Sequence, residues 1–388
     1  MGWFGRKSGR GGARPALFRA WGAAPSVGDW PRSYEAQVRD GYLGNPIAQR
    51  AVRLVAECVA WAPVYALDEA KGPSIRRFDK VNGSSGRAAS LITPALLESA
   101  ASQLLLHGNA FVQILCDAAG EPAELFALRP ERVKVEADAG GWPAAYLYRA
   151  GETKSRFPAR DALGRPGIVH LKSMHPLDDH YGLGCLGAAA GAVAVHNAAA
   201  KWNKALLDNA ARPSGALVLD AGEDRAVLSA EQFARLSEEI EAQFAGAENA
   251  GRPMLLEGGL RWQAMSLTPA DMDFTGLKAA AAREIALAFG VPPMLLGLPG
   301  DSTYANYREA NRALWRLTVL PLGAKILGGI GSALSAWWPG LKLEVDVDQV
   351  TALSEDRERL WAQVSAADFL NRSEKREMLG FEGEGQSA

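Results

Sequence analysis

Apolar positions recur along this chain with two different periods, and each change of period marks an element. From Asn45-Pro46 onward, Ile47, Ala51, Leu54, Val55, Cys58 and Val59 fall on one helical face, until Ala60-Trp61-Ala62-Pro63 ends the run. Val64-Tyr65-Ala66-Leu67 reads as a strand, and a polar Gly/Ser-rich loop fills Lys71 to Arg87. Thr93-Pro94 opens a second helix that stops at His107-Gly108. The pattern then predicts short strands over Phe111–Leu115, Glu124–Leu128, Val133–Glu136, Tyr146–Arg149 and Ile168–Lys172. Helices and strands follow no regular βαβ alternation, so the fold class is α+β.

Gly182 to Asn209 reads as one long Ala-rich helix, broken by Arg212-Pro213. A compact insert follows: a strand at Gly215–Leu219, a helix at Ala230–Phe244 behind a Ser229-x-x-Gln232 capping box, and strands around Met254–Glu257 and Arg261–Met265. The next stretch is the most sharply punctuated. Thr268-Pro269-Ala270-Asp271 caps a helix running to Phe289, and Gly290-Val291-Pro292-Pro293 stops it. A loop from Met294 to Asn306 leads into a longer helix, Tyr307 to Ala336. The chain closes with a strand at Lys342–Val347, where Asp346 and Asp348 alternate with Val345 and Val347, and with helices behind Ser354 and Asn371-x-x-Glu374. No internal repeat is visible.

Length and composition narrow the class. The chain has 388 residues, 48% of them apolar, enough for a packed core in about two or three domains. A net charge of −2 gives no overall basic field of the kind that advertises nucleic-acid binding. The three cysteines, Cys58, Cys116 and Cys185, follow no zinc or CxxC spacing and read as reduced thiols. Residues 1–39 read as a flexible basic arm, with Arg6, Lys7, Arg10, Arg14 and Arg19 among glycines and no apolar core of a signal peptide. Neither Gly182–Ala200 nor Leu314–Ile330, interrupted by Arg316, Pro321 and Lys325, has the continuous apolarity of a membrane span.

Candidate chemistry is sparse. Gly182-Leu183-Gly184-Cys185-Leu186-Gly187 matches the GxGxxG of dinucleotide sites, but the preceding strand ends near Lys172, too early for a tight turn onto the helix. A nucleotide-binding α/β enzyme built on Gly182–Gly187 is the alternative functional reading; a glycine-loosened helix start is the plain one. His170, His175 and His180, with Asp178 and Asp179, have ligand chemistry but share no face, so polar loop contacts are the simpler reading. No Walker A, GxSxG or HExxH sequence occurs. The expectation is a non-enzyme with no catalytic residues, no cofactor and no metal.

Several blocks, taken in order, resemble the portal proteins of tailed double-stranded DNA phages, particularly the compact portals of long-tailed phages. The blocks are Asn45-Pro46 with Arg53-Leu54-Val55-Ala56-Glu57, then Leu105-Leu106-His107-Gly108-Asn109-Ala110-Phe111-Val112, then Leu128-Arg129-Pro130 and Tyr181-Gly182-Leu183-Gly184. They end with Phe289-Gly290-Val291-Pro292-Pro293-Met294-Leu295-Leu296-Gly297 and Thr303-Tyr304-Ala305-Asn306. Gene transfer agents, which are phage-like particles, carry portals of the same kind. The resemblance spans roughly residues 40–380.

That resemblance implies a portal fold: an α/β wing over 40–182, stem helices over 183–210 and 268–290, and a small α/β clip over 211–267. A tunnel loop would occupy 291–306, a spine helix and return strand 307–350, and a helical crown 351–388. It implies a ring, a dodecamer in the particle, at one capsid vertex, with a terminase motor, the major capsid protein and a head–tail adaptor as partners. Double-stranded DNA would pass without sequence specificity and no membrane would be involved. Assembly would take place in the bacterial cytoplasm. Gly297, Leu298, Pro299, Gly300, Asp301, Ser302, Thr303, Tyr304, Ala305 and Asn306 would form the loop that projects into the channel. This loop has one acid and no Lys or Arg, which suits sliding over gripping, because Lys/Arg–phosphate contacts drive non-specific DNA binding. A different head–tail connector, or an adaptor of another complex, stays open.

Overall fold

The computed structural model describes residues 34–68, 84–208, 215–219, 260–264, 274–298 and 304–379, with isolated positions between 229 and 238. Local signals set most element starts. Asn45 caps the Pro46–Ala60 helix by accepting from the N–H groups of Ile47 and Ala48, and Thr93 caps Pro94–His107 through Leu96 N–H. Asn371 and Glu374 exchange side-chain and backbone hydrogen bonds at 2.8 Å each, a closed capping box, and Ser229 and Gln232 do the same. Ser354 behaves differently from its expected role. It is already helical, and its hydroxyl donates back to Thr351 O rather than capping Ser354–Ala366.

Among the described residues, ten strands pair antiparallel. They are β1 (Val64–Asp68), β2 (Asn109–Cys116), β3 (Pro122–Leu128), β4 (Val133–Ala137), β5 (Pro143–Ala150), β6 (Thr153–Pro158), β7 (Ile168–Lys172), β8 (Gly215–Leu219), β9 (Leu260–Ala264) and β10 (Leu341–Val345). β3-β2-β7 and β4-β5-β6 form two three-stranded sheets, while β8-β9 and β1-β10 are two-stranded. In the last pair, Val64 lies opposite Val345 and Asp68 opposite Leu341, which ties the early part of the chain to its late part. β6 was not anticipated. Asp346 and Asp348 lie past the end of β10, and Asp346 accepts from Asp348 N–H to start a short turn, so they are not half-buried strand residues.

The main core lies between the Pro46–Ala60 and Pro94–His107 helices, one face of β2, and the helices after residue 185; Val52, Val55, Leu104, Val112, Leu186, Ile285 and Ile330 are buried there. Each large apolar side chain so enclosed contributes about 1.5–3 kcal/mol. On the other face of β2, Phe111 packs with Leu128, Val133, Val135, Tyr146 and Ile168 as a second cluster. Both faces of β2 are therefore covered, which explains its unbroken apolar run Ala110-Phe111-Val112.

Other expectations shift. Part of the supposed arm is helical: Tyr34–Gln37 and Val38–Leu43 form one turn each, and the Tyr34 ring meets His107 edge-on at 4.4 Å. Burial and the Glu131 charge push the Tyr34 hydroxyl up to about 12. Residues 84–91, read partly as loop, form a helix with Ala88 fully buried. The caps expected at Thr268–Asp271 and the strand at Met254–Glu257 fall outside the described residues. All three cysteines are free thiols.

Three connections in the strand-rich region share one conformation. They read Asp117-Ala118-Ala119-Gly120-Glu121, Asp138-Ala139-Gly140-Gly141-Trp142 and Asp161-Ala162-Leu163-Gly164-Arg165. In each, an Asp Oδ1 accepts from the N–H groups two and four residues on, and the Asp N–H donates to the carbonyl four residues on. The glycine N–H returns to the Asp carbonyl, at a φ of 77°, 83° or 77°, where glycine avoids the Cβ clash. This recurring D-A-x-G-x turn is a small repeat that sequence inspection missed.

Candidate channel loop and the helices that carry it

The loop singled out from sequence is held at its base. The Phe274–Ala288 helix ends where Gly290 takes a φ of 67°, with Gly290 N–H bonded to Leu287 O and Val291 N–H to Ala286 O. Phe289 and Val291, on either side of that glycine, are each 2% exposed in the main core. Pro293–Leu296 makes a single 3-10 turn closed by Gly297 at a φ of 73°, and Gly297 N–H bonds Met294 O. Pro299 to Thr303 lie outside the described residues.

Tyr304, Ala305 and Asn306 are not loop. They are the first residues of a Tyr304–Leu314 helix, which passes through a π-helical segment, Trp315–Val319, into Leu320–Leu334. None of the three has the fixed φ or missing N–H that would stop a helix growing back from Tyr307. The helix also ends two residues earlier than expected. The combined Ala305–Leu334 rod is long and apolar enough by composition to cross a bilayer. Ile326, Leu327, Ile330 and Leu334 are fully buried within the protein, as in a core helix.

The π segment puts Thr318 beside the loop base. Its hydroxyl donates to Gly290 O at 2.7 Å, and a Cβ at Gly290 would sit 2.7 Å from Thr318 Oγ1. The earlier half of the rod is tied elsewhere. Arg312 is buried and pairs with Glu309 at 2.8 Å and Glu355 at 2.7 Å, with Asp356 at 3.5 Å. Arg308 also reaches Glu355, and Arg316 reaches Asp356 at 2.8 Å. Sequence reasoning missed this ladder, although arginines at 308, 312 and 316 share a helical face and an acid pair stands early in the next helix.

The glycine motif has a structural use. Gly182 and Leu183 lie in no regular element, Gly184 is extended, and helix begins only at Cys185, with a break at Ala189 before Ala190–Asp208. A Cβ on Gly182 would lie 2.7 Å from both Ser173 N and Ser173 O and closer still to Gly108 O; one on Gly184 would collide with Leu106 O. Gly108, at a φ of 78°, faces the same crossing, and Ser173 N–H bonds Gly108 O at 2.8 Å. Asn109, fully buried, accepts from Gly182 N–H at 2.7 Å and donates to Gly182 O at 3.1 Å. The space a pyrophosphate would need beside Gly182 and Gly184 is filled by backbone. The dinucleotide reading is therefore replaced by a close crossing of two chain segments.

The histidines do not converge. His170 stacks on Phe111 at 4.2 Å and shares a hydrogen bond with Asn109 Oδ1, and burial with nearby Lys172 lowers it to about 4, so it is neutral near pH 7. His175 Nδ1 accepts from Leu177 N–H, and Asp178 accepts from the N–H groups of His180 and Tyr181. Among the described residues no three His, Cys, Asp or Glu side chains gather around a common point.

Comparison with known proteins completes the picture. The phage portal protein family model matches residues 46–380. An uncharacterized Rickettsia bellii protein is 39% identical over 88% of both chains. The probable portal protein of Streptomyces phage phiC31 is 26% identical over 74% of this chain and 63% of its own. Among solved structures, a chain from the virion of a native gene transfer agent particle is 47% identical, with a TM-score of 0.66, covering 93% of this chain and 96% of that one. A chain from the neck of the native particle, computed with C12 symmetry, is 47% identical at a TM-score of 0.65 over 92% and 95%. A family match over most of the chain, with these structural likenesses, decides the assignment: this chain belongs to the phage portal protein family.

Proposed function

We propose that this protein forms the portal ring of a tailed phage or gene transfer agent particle, a channel for DNA packaging and ejection at one capsid vertex. The single observation that carries the reading is its match, along nearly its whole length, to a chain of a particle neck with C12 symmetry. A twelve-membered ring follows as the assembly, since a head-to-tail interface repeats until rotation closes. The terminase motor, major capsid protein and head–tail adaptor are the partners this role requires, and residues 40–182, 211–267 and 351–388 are the wing, clip and crown that would meet them.

In this reading the segment from Gly297 toward Tyr304 projects into the channel. Its base supports that role: Gly290 and Gly297 permit sharp reversals, while Phe289, Val291 and the Thr318 hydroxyl fix where it starts. Within residues 297–306 the single charge is Asp301, so the loop acts on DNA through shape and mobility. Single-particle images of purified protein should show a pierced ring of twelve. Deleting residues 298–303 should leave that ring intact and reduce the DNA retained in particles. A monomer under all assembly conditions would refute the ring, and unchanged packaging and retention would refute the loop's role.

A further inference from the structure

The ladder beyond the loop has a chemistry that its structural role leaves unexplained. Arg308, Arg312 and Arg316 stand on one face of the rod, the first only four residues, or about 6 Å of helix, past its start at Tyr304. All three are met by two carboxylates, Glu355 and Asp356, in the first turn of Ser354–Ala366. The contacts are graded. Arg312 keeps 10% of its side chain exposed, whereas Arg308 keeps 48% and Arg316 55%. The fit is also uneven: Arg316 approaches Asp356 Oδ2 at 2.8 Å, whereas Arg312 Nε, buried and without a hydrogen bond, stays 3.5 Å from that oxygen.

A guanidinium binds a carboxylate and a phosphate with the same planar donor fork. We propose that Arg308, Arg312 and Arg316 form a latent site for the phosphodiester backbone of DNA, with Glu355 and Asp356 standing in for the phosphates. This rests on the portal reading and adds to it a way of regulating grip. With the acidic turn seated, the arginines are neutralised and DNA slides past. When that turn shifts, each subunit presents cationic groups just beyond the loop, and the ring multiplies them into a brake. Two half-exposed arginines around a buried third suit the exchange, because a phosphate can displace the outer pairs while Arg312 still holds the helix.

The test is equilibrium binding of assembled rings to duplex DNA, measured by fluorescence anisotropy across a salt series, with ring integrity checked by imaging. Glu355→Gln with Asp356→Asn should raise affinity at least about tenfold at moderate salt. The slope of log affinity against log salt should steepen by about 0.9 for each arginine engaged. Adding Arg308→Gln and Arg316→Gln to that variant should restore the shallow slope, while those two changes in the native background should leave DNA binding unaltered. If the double acidic variant fails to assemble, Glu355→Gln alone keeps Asp356 on Arg312 and Arg316 and should give a smaller shift in the same direction. Intact rings with an unchanged slope would overturn the latent site and leave the portal reading standing. A wild-type protein that forms no ring would instead sink the portal reading.

Discussion

Replacing Gly182 by alanine isolates the crossing between the 106–109 and 182–184 segments. The new Cβ would lie 2.7 Å from both Ser173 N and Ser173 O, where ordinary contact begins at 3.4 Å, so each must retreat by about 0.7 Å. Both are backbone atoms, and Gly108 O closes a third side. Overpacking costs about 1–3 kcal/mol, and moving the segments apart also strains the two Asn109–Gly182 hydrogen bonds, each worth roughly 1 kcal/mol. A total of about 3 kcal/mol should lower the melting midpoint of the 388-residue chain by roughly 4 °C if it unfolds as one unit. Gly187 is the matched control: nothing lies within 4 Å of its virtual Cβ and it sits inside a helix, so Gly187→Ala should be neutral or stabilising by up to about 1 kcal/mol. Thermal and urea unfolding of the two variants provide the measurement. Equal losses at 182 and 187, or a change below about 1 kcal/mol at 182, would refute the crossing and revive a role for the glycines as a set.

Asn109→Ala should cost about 3 kcal/mol or more in urea unfolding, because it leaves the buried Gly182 N–H and C=O without their side-chain partner; a loss under about 1 kcal/mol would contradict this. His170, lowered to about 4 by burial and then by Lys172, stays neutral in the fold while the unfolded chain protonates near 6.5. The unfolded state therefore binds more protons between those values, and stability should fall by up to about 3 kcal/mol as pH drops from about 6.5 to 4. His170→Gln should flatten that part of the stability–pH curve, leaving the same-signed but separate effects of buried His107 and His196; an unchanged curve would rule His170 out as a source.

Much of the fold was legible because its signals are local. Asn45, Thr93, Ser229/Gln232 and Asn371/Glu374 cap within four residues of themselves, and β7 and β8 have the bounds expected from their apolar runs. β6 was hidden because Thr-Lys-Ser-Arg-Phe-Pro is largely exposed and its half-buried side carries Ser155 as well as Phe157, so no apolar alternation marks it. The Ser84–Leu91 helix was hidden by its serines and glycine, which read as loop until Ala88 packs. The π segment at Trp315–Val319 does have a cause in Pro321, which has no N–H for Leu317 O and crowds that carbonyl, but the helix was read straight through it. At the candidate site, Gly290 and the two prolines gave the helix stop, but Thr318 and Gly290 are 28 residues apart and Asn109 and Gly182 are 73. No periodicity reports contacts at that separation. The family blocks around His107-Gly108-Asn109 and Tyr181-Gly182-Leu183-Gly184 proved to be the two sides of one such contact.

The three D-A-x-G-x turns divide structure from surface within five residues. Aspartate and glycine supply the conformation, while the third and fifth positions enter the turn only through backbone N–H and C=O groups and vary in identity: Ala119, Gly140 and Leu163 in one place, Glu121, Trp142 and Arg165 in the other, although the Arg165 guanidinium also reaches Gly120 O and the Trp337 ring. One frame thus already displays an acid, an indole and a guanidinium with the same main chain. A lineage obliged to meet a new neighbour could rewrite the tips at Glu121 and Trp142 by single substitutions with no change in the strands beneath, whereas a change at Arg165 would also remove its contacts with Gly120 O and the Trp337 ring.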